Sequence, residues 1–225
     1  MDYSISLCVV GPISVGKTTL IKKLELLLRD SSIPIGNVQP SIMAEITRVE
    51  FKIKDKILKA NITDTPGMKK LFHALPGNIL RNNCGYLIVF DLTDRESFTD
   101  IKEWFEPIKE YCPHFAEIFL VGNKTDAFEK RAVMREEAES LAAAMNARYF
   151  ETSSKAGSGV VEMFQNMVEN IVRKVEFGTL NRHDRGHGIR HPPQGGADPE
   201  SQLKLKANNK KKDDEGSFWK RCCGK

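Results

Sequence analysis

The segment GPISVGKT, residues 11–18, carries the strongest indication of the fold. It joins an apolar strand pattern, residues 3–10, to a helix pattern that runs from residue 16 to residue 29. Glycines at both ends let the backbone curl, so several N–H groups face one point at a helix N-terminus, where an anion is favoured. Lys17 adds an ammonium group for β- and γ-phosphates, and Thr18 adds a hydroxyl for Mg²⁺. The residues that this pattern assigns to a nucleoside triphosphate are Gly11, Ser14, Val15, Gly16, Lys17, Thr18 and Thr19.

Strand and helix patterns alternate along the chain as far as residue 175. The predicted strands are 3–10, 49–54, 57–63, 86–92, 117–123 and 148–153. The predicted helices are 16–29, 94–111, 134–146 and 159–175, with an irregular, partly helical segment at 68–83. Such alternation predicts an α/β fold, with a mostly parallel six-stranded sheet and helices on both faces. The second and third strands read as a hairpin, so one edge strand is expected to be antiparallel.

Two polar segments that directly follow strands predict the base. In NKTD (123–126), the Asp126 carboxylate can accept hydrogen bonds from N1–H and the 2-amino group of guanine, and adenine presents neither donor on that edge. In TSSK (152–155), a backbone N–H near Ser154 can meet the guanine O6 atom. The residues predicted to hold the base are Asn123, Lys124, Asp126, Ser153, Ser154 and Lys155. GTP or GDP is therefore the predicted ligand.

Charge separates the body of the chain from its C-terminal segment. The 225 residues hold 34 Lys and Arg and 30 Asp and Glu, a net charge of +4. Residues 1–175 contain 23 of each sign, so the whole excess lies in residues 176–225. No basic surface is implied for the folded part, which argues against nucleic-acid binding. Residues 178–216 are rich in Gly, Pro, Asn, Lys and His and are predicted to be disordered.

These motifs together resemble the Ras superfamily of small GTPases, and most closely its Rab family. Besides GPISVGKT, NKTD and TSSK, the chain carries DTPG (64–67), FDLTDRESF (90–98) and YFETSSKAGSGVVEMF (149–164). The resemblance covers about residues 1–175 and implies the three-layer small-GTPase fold. The expected domains are a GTPase domain at 1–177 and a variable tail at 178–225.

The resemblance also implies a magnesium site and two switch segments. Asp64 and Gly67 match the family's DxxG motif, in which the Asp lies near Mg²⁺ and the Gly N–H meets the γ-phosphate. Mg²⁺ would be held by Thr18, Asp64 and a hydroxyl of the first switch, for which Ser41 in QPSIMAEI is the best match. Thr47 remains the alternative. Binding of GTP would order both segments, and hydrolysis would release them.

Two departures from the family pattern bear on catalysis. Met68 stands where the family normally has the Gln that orients the attacking water, and a thioether cannot take that role. Ile13 places a branched apolar side chain in the cradle, where many relatives have a small residue. Lys17 and Gly67 are thus the catalytic residues that remain, and slow GTP hydrolysis is expected. The alternatives are a GTP-bound interaction module with little or no hydrolysis, and a P-loop kinase, which the guanine-selective NKTD disfavours.

The chain ends in FWKRCCGK, and its adjacent Cys222 and Cys223 resemble the doubly prenylated endings of Rab proteins. Two lipid chains anchor a protein stably where one does not. The N-terminus lacks a signal-peptide pattern and no apolar run approaches the roughly 20 residues of a membrane span, so a cytosolic pool is also expected. The expected location is the cytosolic face of an intracellular membrane. The expected partners are an exchange factor, effectors, GTPase-activating proteins and the Rab escort and prenylation machinery.

Overall fold

The computed structural model describes residues 3–29, 43–53, 56–74, 77–113, 115–177 and 189–190. The strands are β1 (Tyr3–Val10), β2 (Glu45–Ile53), β3 (Lys56–Asp64), β4 (Gly85–Asp91), β5 (Glu117–Asn123), β6 (Arg148–Thr152) and β7 (Ile189–Arg190). The helices are α1 (Lys17–Leu28), α2 (Lys69–His73), α3 (Gly77–Arg81), α4 (Arg95–Thr99), α5 (Ile101–Tyr111), α6 (Arg135–Ala144) and α7 (Val160–Glu176). A 3₁₀ helix, Thr125–Lys130, follows β5. None of the helices in these ranges is both long and apolar enough to span a bilayer.

The main sheet has the order β2-β3-β1-β4-β5-β6. All pairings along this path are parallel except the β2–β3 pairing, in which the edge strand runs antiparallel from Glu45 opposite Asp64 to Ile53 opposite Lys56. Beside this path, the short β7 pairs antiparallel with β1. The predicted α/β fold with one antiparallel edge strand is therefore confirmed. The hairpin strands are longer than the predicted segments 49–54 and 57–63. On β2 only Val49 and Phe51 are buried. The apolar pattern therefore predicts the second half of the strand but not its exposed beginning.

The core lies in two layers, one on each face of the sheet. On one face, α1 and α7 pack against the sheet through side chains such as Leu20, Phe164 and Ile171. On the other face, α2, α3, α5 and α6 contribute, and Trp104 is 1% exposed at the centre of this layer. A sheet with packed helices on both faces must be apolar on both sides, which explains why every residue of β4 is buried.

Two helical regions differ from the sequence prediction. The predicted helix 94–111 is divided at Asp100 into α4 and α5, and the Asp94 side chain caps α4 by accepting from the Glu96 N–H at 3.0 Å. The 3₁₀ helix at Thr125–Lys130 has no counterpart in the predicted helices. It begins after Lys124, whose left-handed backbone (φ 72°) turns the chain away from the end of β5.

The parallel strands place four distant segments at one edge of the sheet. β1 ends at Val10, immediately before the GPISVGKT loop, and β3 ends at Asp64, at the start of DTPG. The neighbouring ends of β5 and β6 carry Asn123 and Thr152, which are register partners. Ligands bind at the carboxyl edge of such sheets, so the fold itself brings the predicted site residues together.

Candidate nucleotide site

The loop between β1 and α1 has the backbone of an anion cradle. Gly11 (φ 140°) and Gly16 (φ 99°) adopt conformations that favour glycine, and Ser14 is also left-handed (φ 64°). A Cβ on Gly11 would lie 2.1 Å from the Val89 carbonyl oxygen, and one on Gly16 would lie 2.4 Å from the Asn123 Nδ2 atom. Gly16 is the N-cap of α1 and has no side chain that could satisfy the amides of the first turn. Those amides and the positive end of the helix dipole therefore suit an anion.

Lys17 lies folded within this loop. Its side chain is 6% exposed, and its Nζ atom donates to the carbonyl oxygens of Gly11 and Pro12, each at 2.8 Å. Burial lowers the pKa of Lys17 to about 8, although the Asp64 carboxylate acts in the opposite direction. The ammonium group is thus held where a phosphate would offer it a better partner than two neutral carbonyls.

Thr18 and Asp64 meet across the start of α1 and the end of β3. The Thr18 hydroxyl donates to the Asp64 carboxylate at 2.5 Å, and Asp64 is 3% exposed. A hydroxyl and a carboxylate oxygen in contact are hard oxygen ligands of the kind that Mg²⁺ prefers. Within the described ranges no group of three or more His, Cys, Asp or Glu could hold a metal ion. Because both groups offer hard oxygens, the pair fits a Mg²⁺ ion that takes its remaining ligands from phosphates and water.

Two residues are candidates for the hydroxyl of the first switch. Ser41, the favoured metal ligand, lies outside the described residues. Thr47, the alternative, is part of β2 and lies opposite Ile62 of β3. Thr19, also predicted in the cradle, is half-buried on α1.

Gly67 lies directly against the cradle. A Cβ at this position would be 2.6 Å from the Ile13 Cα atom and 2.9 Å from the Lys17 Nζ atom. The next residue, Met68, precedes α2 and is 47% exposed, the same fraction as Ile13. Two apolar side chains are thus attached to the two backbone segments that touch beside Lys17.

Asn123 connects three of the predicted segments. It is fully buried, and its Nδ2 atom donates to the Val15 carbonyl at 2.8 Å and to the Ser154 hydroxyl at 3.1 Å. Its Oδ1 atom accepts from the Ser154 N–H at 3.0 Å and from the Thr152 hydroxyl at 3.2 Å. One amide side chain therefore ties the cradle to the TSSK loop.

The NKTD and TSSK segments also meet through Asp126. The Ser153 hydroxyl donates to the Asp126 carboxylate at 2.5 Å and accepts from the Ala156 N–H at 2.9 Å. Asp126 itself is exposed, and so is Lys155. The carboxylate is held from one side and open on the other, as recognition of a base edge requires.

Asp91 is a residue of this region that the sequence prediction missed. It ends β4 opposite Asn123, and its carboxylate pairs with the Lys124 Nζ atom at 2.7 Å. The same carboxylate accepts from the N–H and the hydroxyl of Thr93, each at 2.8 Å. Asp91 thereby fixes the direction of the Lys124 stem. Its position at the end of a buried strand, next to the strand that carries NKTD, was the available signal.

The structure brings together the cradle, DTPG, NKTD and TSSK. Cys222 and Cys223 lie outside the described residues. Of the three remaining cysteines, Cys8 and Cys84 are buried, and burial raises the pKa of each thiol to about 12. Those two thiols are core residues with no role in the site.

Comparisons with known proteins agree with this arrangement. A family model described as the Ras family matches residues 6–173. The chain is 32% identical over 197 residues to the GTP-binding protein ypt3 of Schizosaccharomyces pombe, which covers 86% of each chain. It is 32% identical over 190 residues to the Ras-related protein Rab-39A of Homo sapiens, covering 84% of this chain and 87% of the relative. It is 33% identical over 178 residues to the Ras-related protein Rab-13 of Mesocricetus auratus, covering 77% of this chain and 82% of the relative. The chain therefore belongs to the Ras family of small GTPases and is similar to its Rab and Ypt members.

Proposed function

We propose that this chain is a Rab-like molecular switch that binds GTP and GDP with Mg²⁺ and hydrolyses GTP slowly. The observation that carries the proposal is the Asn123 side chain, which joins the Val15 carbonyl of the cradle to Ser154 of the TSSK loop. A phosphate site and a base-reading carboxylate, Asp126, are thereby parts of one hydrogen-bonded unit. A nucleotide spans the two.

The phosphates would be held by the cradle amides and Lys17, with Mg²⁺ between the phosphates, Thr18, Asp64 and the Ser41 hydroxyl. When bound, Mg²⁺ neutralises the negative charge that develops during phosphoryl transfer. Lys17 supplies a further positive charge, and Gly67 lies beside it. The chain thus has the groups that bind and stabilise a triphosphate.

Slow hydrolysis follows from Met68 and Ile13. In such reactions a polar side chain orients the attacking water, and the Met68 thioether can neither donate to a water nor accept strongly from one. Ile13 presents a half-exposed branched side chain on the segment that touches Gly67. Its bulk competes with any group that a partner would insert toward the γ-phosphate.

Single-turnover hydrolysis of bound GTP tests this proposal. Met68→Gln is expected to raise the rate at least about ten-fold, and Met68→Gln with Ile13→Ser is expected to raise it further. Met134→Gln is the matched control, because Met134 is also about half exposed (56%, against 47% for Met68) but precedes α6. A wild-type rate as fast as that of the double variant would refute the slow-hydrolysis proposal.

A second candidate function is a GTP-bound interaction module that does not cycle. The same pair of half-exposed apolar residues favours it, since neither can assist a water. This candidate is supported over the switch if the wild-type protein binds GTP without measurable hydrolysis and the double variant hydrolyses it.

The tail would place the switch on the cytosolic face of an intracellular membrane, with a cytosolic pool, through prenylation of Cys222 and Cys223. Three features support this membrane anchoring: the paired cysteines, the nearby Lys220 and Arg221, and the similarity to Rab proteins. The partners would be an exchange factor, effectors, GTPase-activating proteins and the escort and prenylation machinery. Cys222→Ser with Cys223→Ser is expected to move the protein from the membrane fraction to the soluble fraction.

A further inference from the structure

The first half of β1 has one open side within the sheet. On its other side, Tyr3–Val9 pairs with β3 throughout. β4 pairs with β1 only from Leu7 onward, and the Cys84 N–H donates to the Ser6 carbonyl at 2.9 Å. Ser4 and Ile5 therefore lie beyond the beginning of β4, at the end of the sheet opposite the candidate nucleotide site.

Residues Ile189 and Arg190 occupy this open side. They form β7, which runs antiparallel to β1 with Ile189 opposite Ile5 and Arg190 opposite Ser4. The Gly- and Pro-rich sequence around them predicts no strand. Pairing with an open sheet edge, rather than local propensity, is what makes these two residues a strand.

Ile189 also forms one wall of an apolar slot between the sheet and α7. The other walls are Ile5, Leu58, Ile171, Val172 and Val175. All six side chains are aliphatic, and Ile189 is half-buried at the margin of the core on this face. Main-chain pairing combined with a side-chain slot is how a sheet edge recognises an extended segment: the backbone provides affinity and the slot provides selectivity.

We propose that the open side of β1 and this slot form a strand-docking surface, and that its occupant is the chain's own segment Ile189–Arg190. The surface fits an extended segment that presents one branched aliphatic side chain to the slot. Because the surface lies at the opposite end of the strands from the cradle, docking does not require a nucleotide.

For the membrane tail, the consequence rests on the lipidation proposed above. With β7 docked, the tether between the domain and Cys222 has 31 residues (191–221) in place of the 44 residues (178–221) that follow Phe177. At roughly 3.4 Å per extended residue, the longest distance that the tether can span falls by about 45 Å. Docking therefore limits how far from a membrane the switch can act.

Tryptic cleavage after Arg190 in the full-length chain tests the docking, since a protease must first detach the segment from the sheet. Ile189→Asp places a carboxylate against an aliphatic slot and is expected to speed this cleavage at least about ten-fold. Ile189→Val keeps a branched aliphatic side chain and should retain slow cleavage. Leu203→Asp is the matched control, because it makes the same kind of change beyond β7. Amide hydrogen exchange over residues 3–6 should rise in Ile189→Asp alone.

Equal cleavage rates after Arg190 in the wild type, Ile189→Asp and Ile189→Val would overturn the proposal. If about a hundred-fold dilution removed the protection against cleavage after Arg190, the occupant would be a segment from a second copy of the chain. That result would overturn the assignment to the chain's own tail. Neither readout involves a nucleotide or a lipid. Failure of the proposed function would therefore leave both readouts unchanged, while failure of docking would leave nucleotide binding intact.

Discussion

Asn123 is the residue on which the site depends most. Its side chain uses both amide hydrogens and the carbonyl oxygen on buried partners in two other segments. No other side chain type offers two donors and an acceptor with this shape. The residue is therefore a structural brace within the chain itself, and its effect on stability can be separated from its effect on binding.

Asn123→Ala is expected to lower the free energy of unfolding by about 3 kcal/mol, because several buried polar groups lose their partners. Asn166→Ala is the control, since Asn166 makes one exposed bond to the Glu162 carbonyl on α7 and should cost less than about 1 kcal/mol. Urea unfolding of nucleotide-free protein measures both. Equal losses in the two variants would contradict the bracing role.

Lys17 makes nucleotide binding depend on pH. Burial lowers the pKa of Lys17 to about 8, and a phosphate beside the amine favours its charged form, so the pKa must rise on binding. Well below pH 8, Lys17 is protonated in both the free and the nucleotide-bound protein, so binding takes up no proton. Above pH 8, binding must take up a proton, so the affinity for nucleotide falls as the pH rises.

Calorimetry in two buffers of different ionisation enthalpy measures this proton uptake. About half a proton per GDP is expected at pH 8, and much less at pH 6.5. Proton release at pH 8, or uptake that does not change between these two pH values, would contradict the account of Lys17.

At the scale of elements, the turn from β1 into α1 depends on backbone conformations that a side chain prevents. Gly11→Ala would place a Cβ 2.1 Å from the Val89 carbonyl oxygen at φ 140°. A backbone atom cannot move aside as a side-chain tip can, so β4 or the loop must shift. The variant is expected to lose about 3 kcal/mol of folding stability or more.

Gly77→Ala is the matched control for this change. It lies at the start of α3, where the added Cβ would meet the Tyr111 ring at 3.2 Å and the tip of that side chain can give way. Chemical unfolding should show a change below about 1 kcal/mol. A Gly11→Ala variant as stable as Gly77→Ala would show that the loop tolerates another backbone path.

The elements that sequence patterns predict well are those whose burial the sequence marks, either by a period or by an unbroken apolar run. β5 is predicted to the residue because Phe119–Asn123 is buried throughout and ends at a polar motif. The beginning of β2 is missed because Glu45 and Ile46 are both exposed, so no alternation marks them. β7 is missed because only its contact with β1 defines it.

At the scale of the whole molecule, the parallel sheet converts sequence distance into proximity. Val15 and Asn123 are 108 positions apart and share a hydrogen bond of 2.8 Å. The motifs predict which segments meet, since each follows a strand. They do not predict the Lys124–Asp91 pair or the Lys17 bonds to the loop carbonyls, because these depend on side-chain directions that only the folded chain sets.

The proposal that the assembled site binds a guanine nucleotide is tested by measuring its selectivity between guanine and adenine. Competition against labelled GDP on the purified chain should show displacement by GDP and GTP, and none by ADP or ATP at about a hundred-fold excess. Asp126→Asn replaces one acceptor by a donor. It should therefore weaken the binding of GDP and strengthen the binding of xanthosine diphosphate, which presents a carbonyl in place of the 2-amino group. Glu129→Gln, on the same 3₁₀ helix, should change the affinity for neither nucleotide. Adenine nucleotides that compete as well as guanine nucleotides, or a chain that binds neither, would contradict the account.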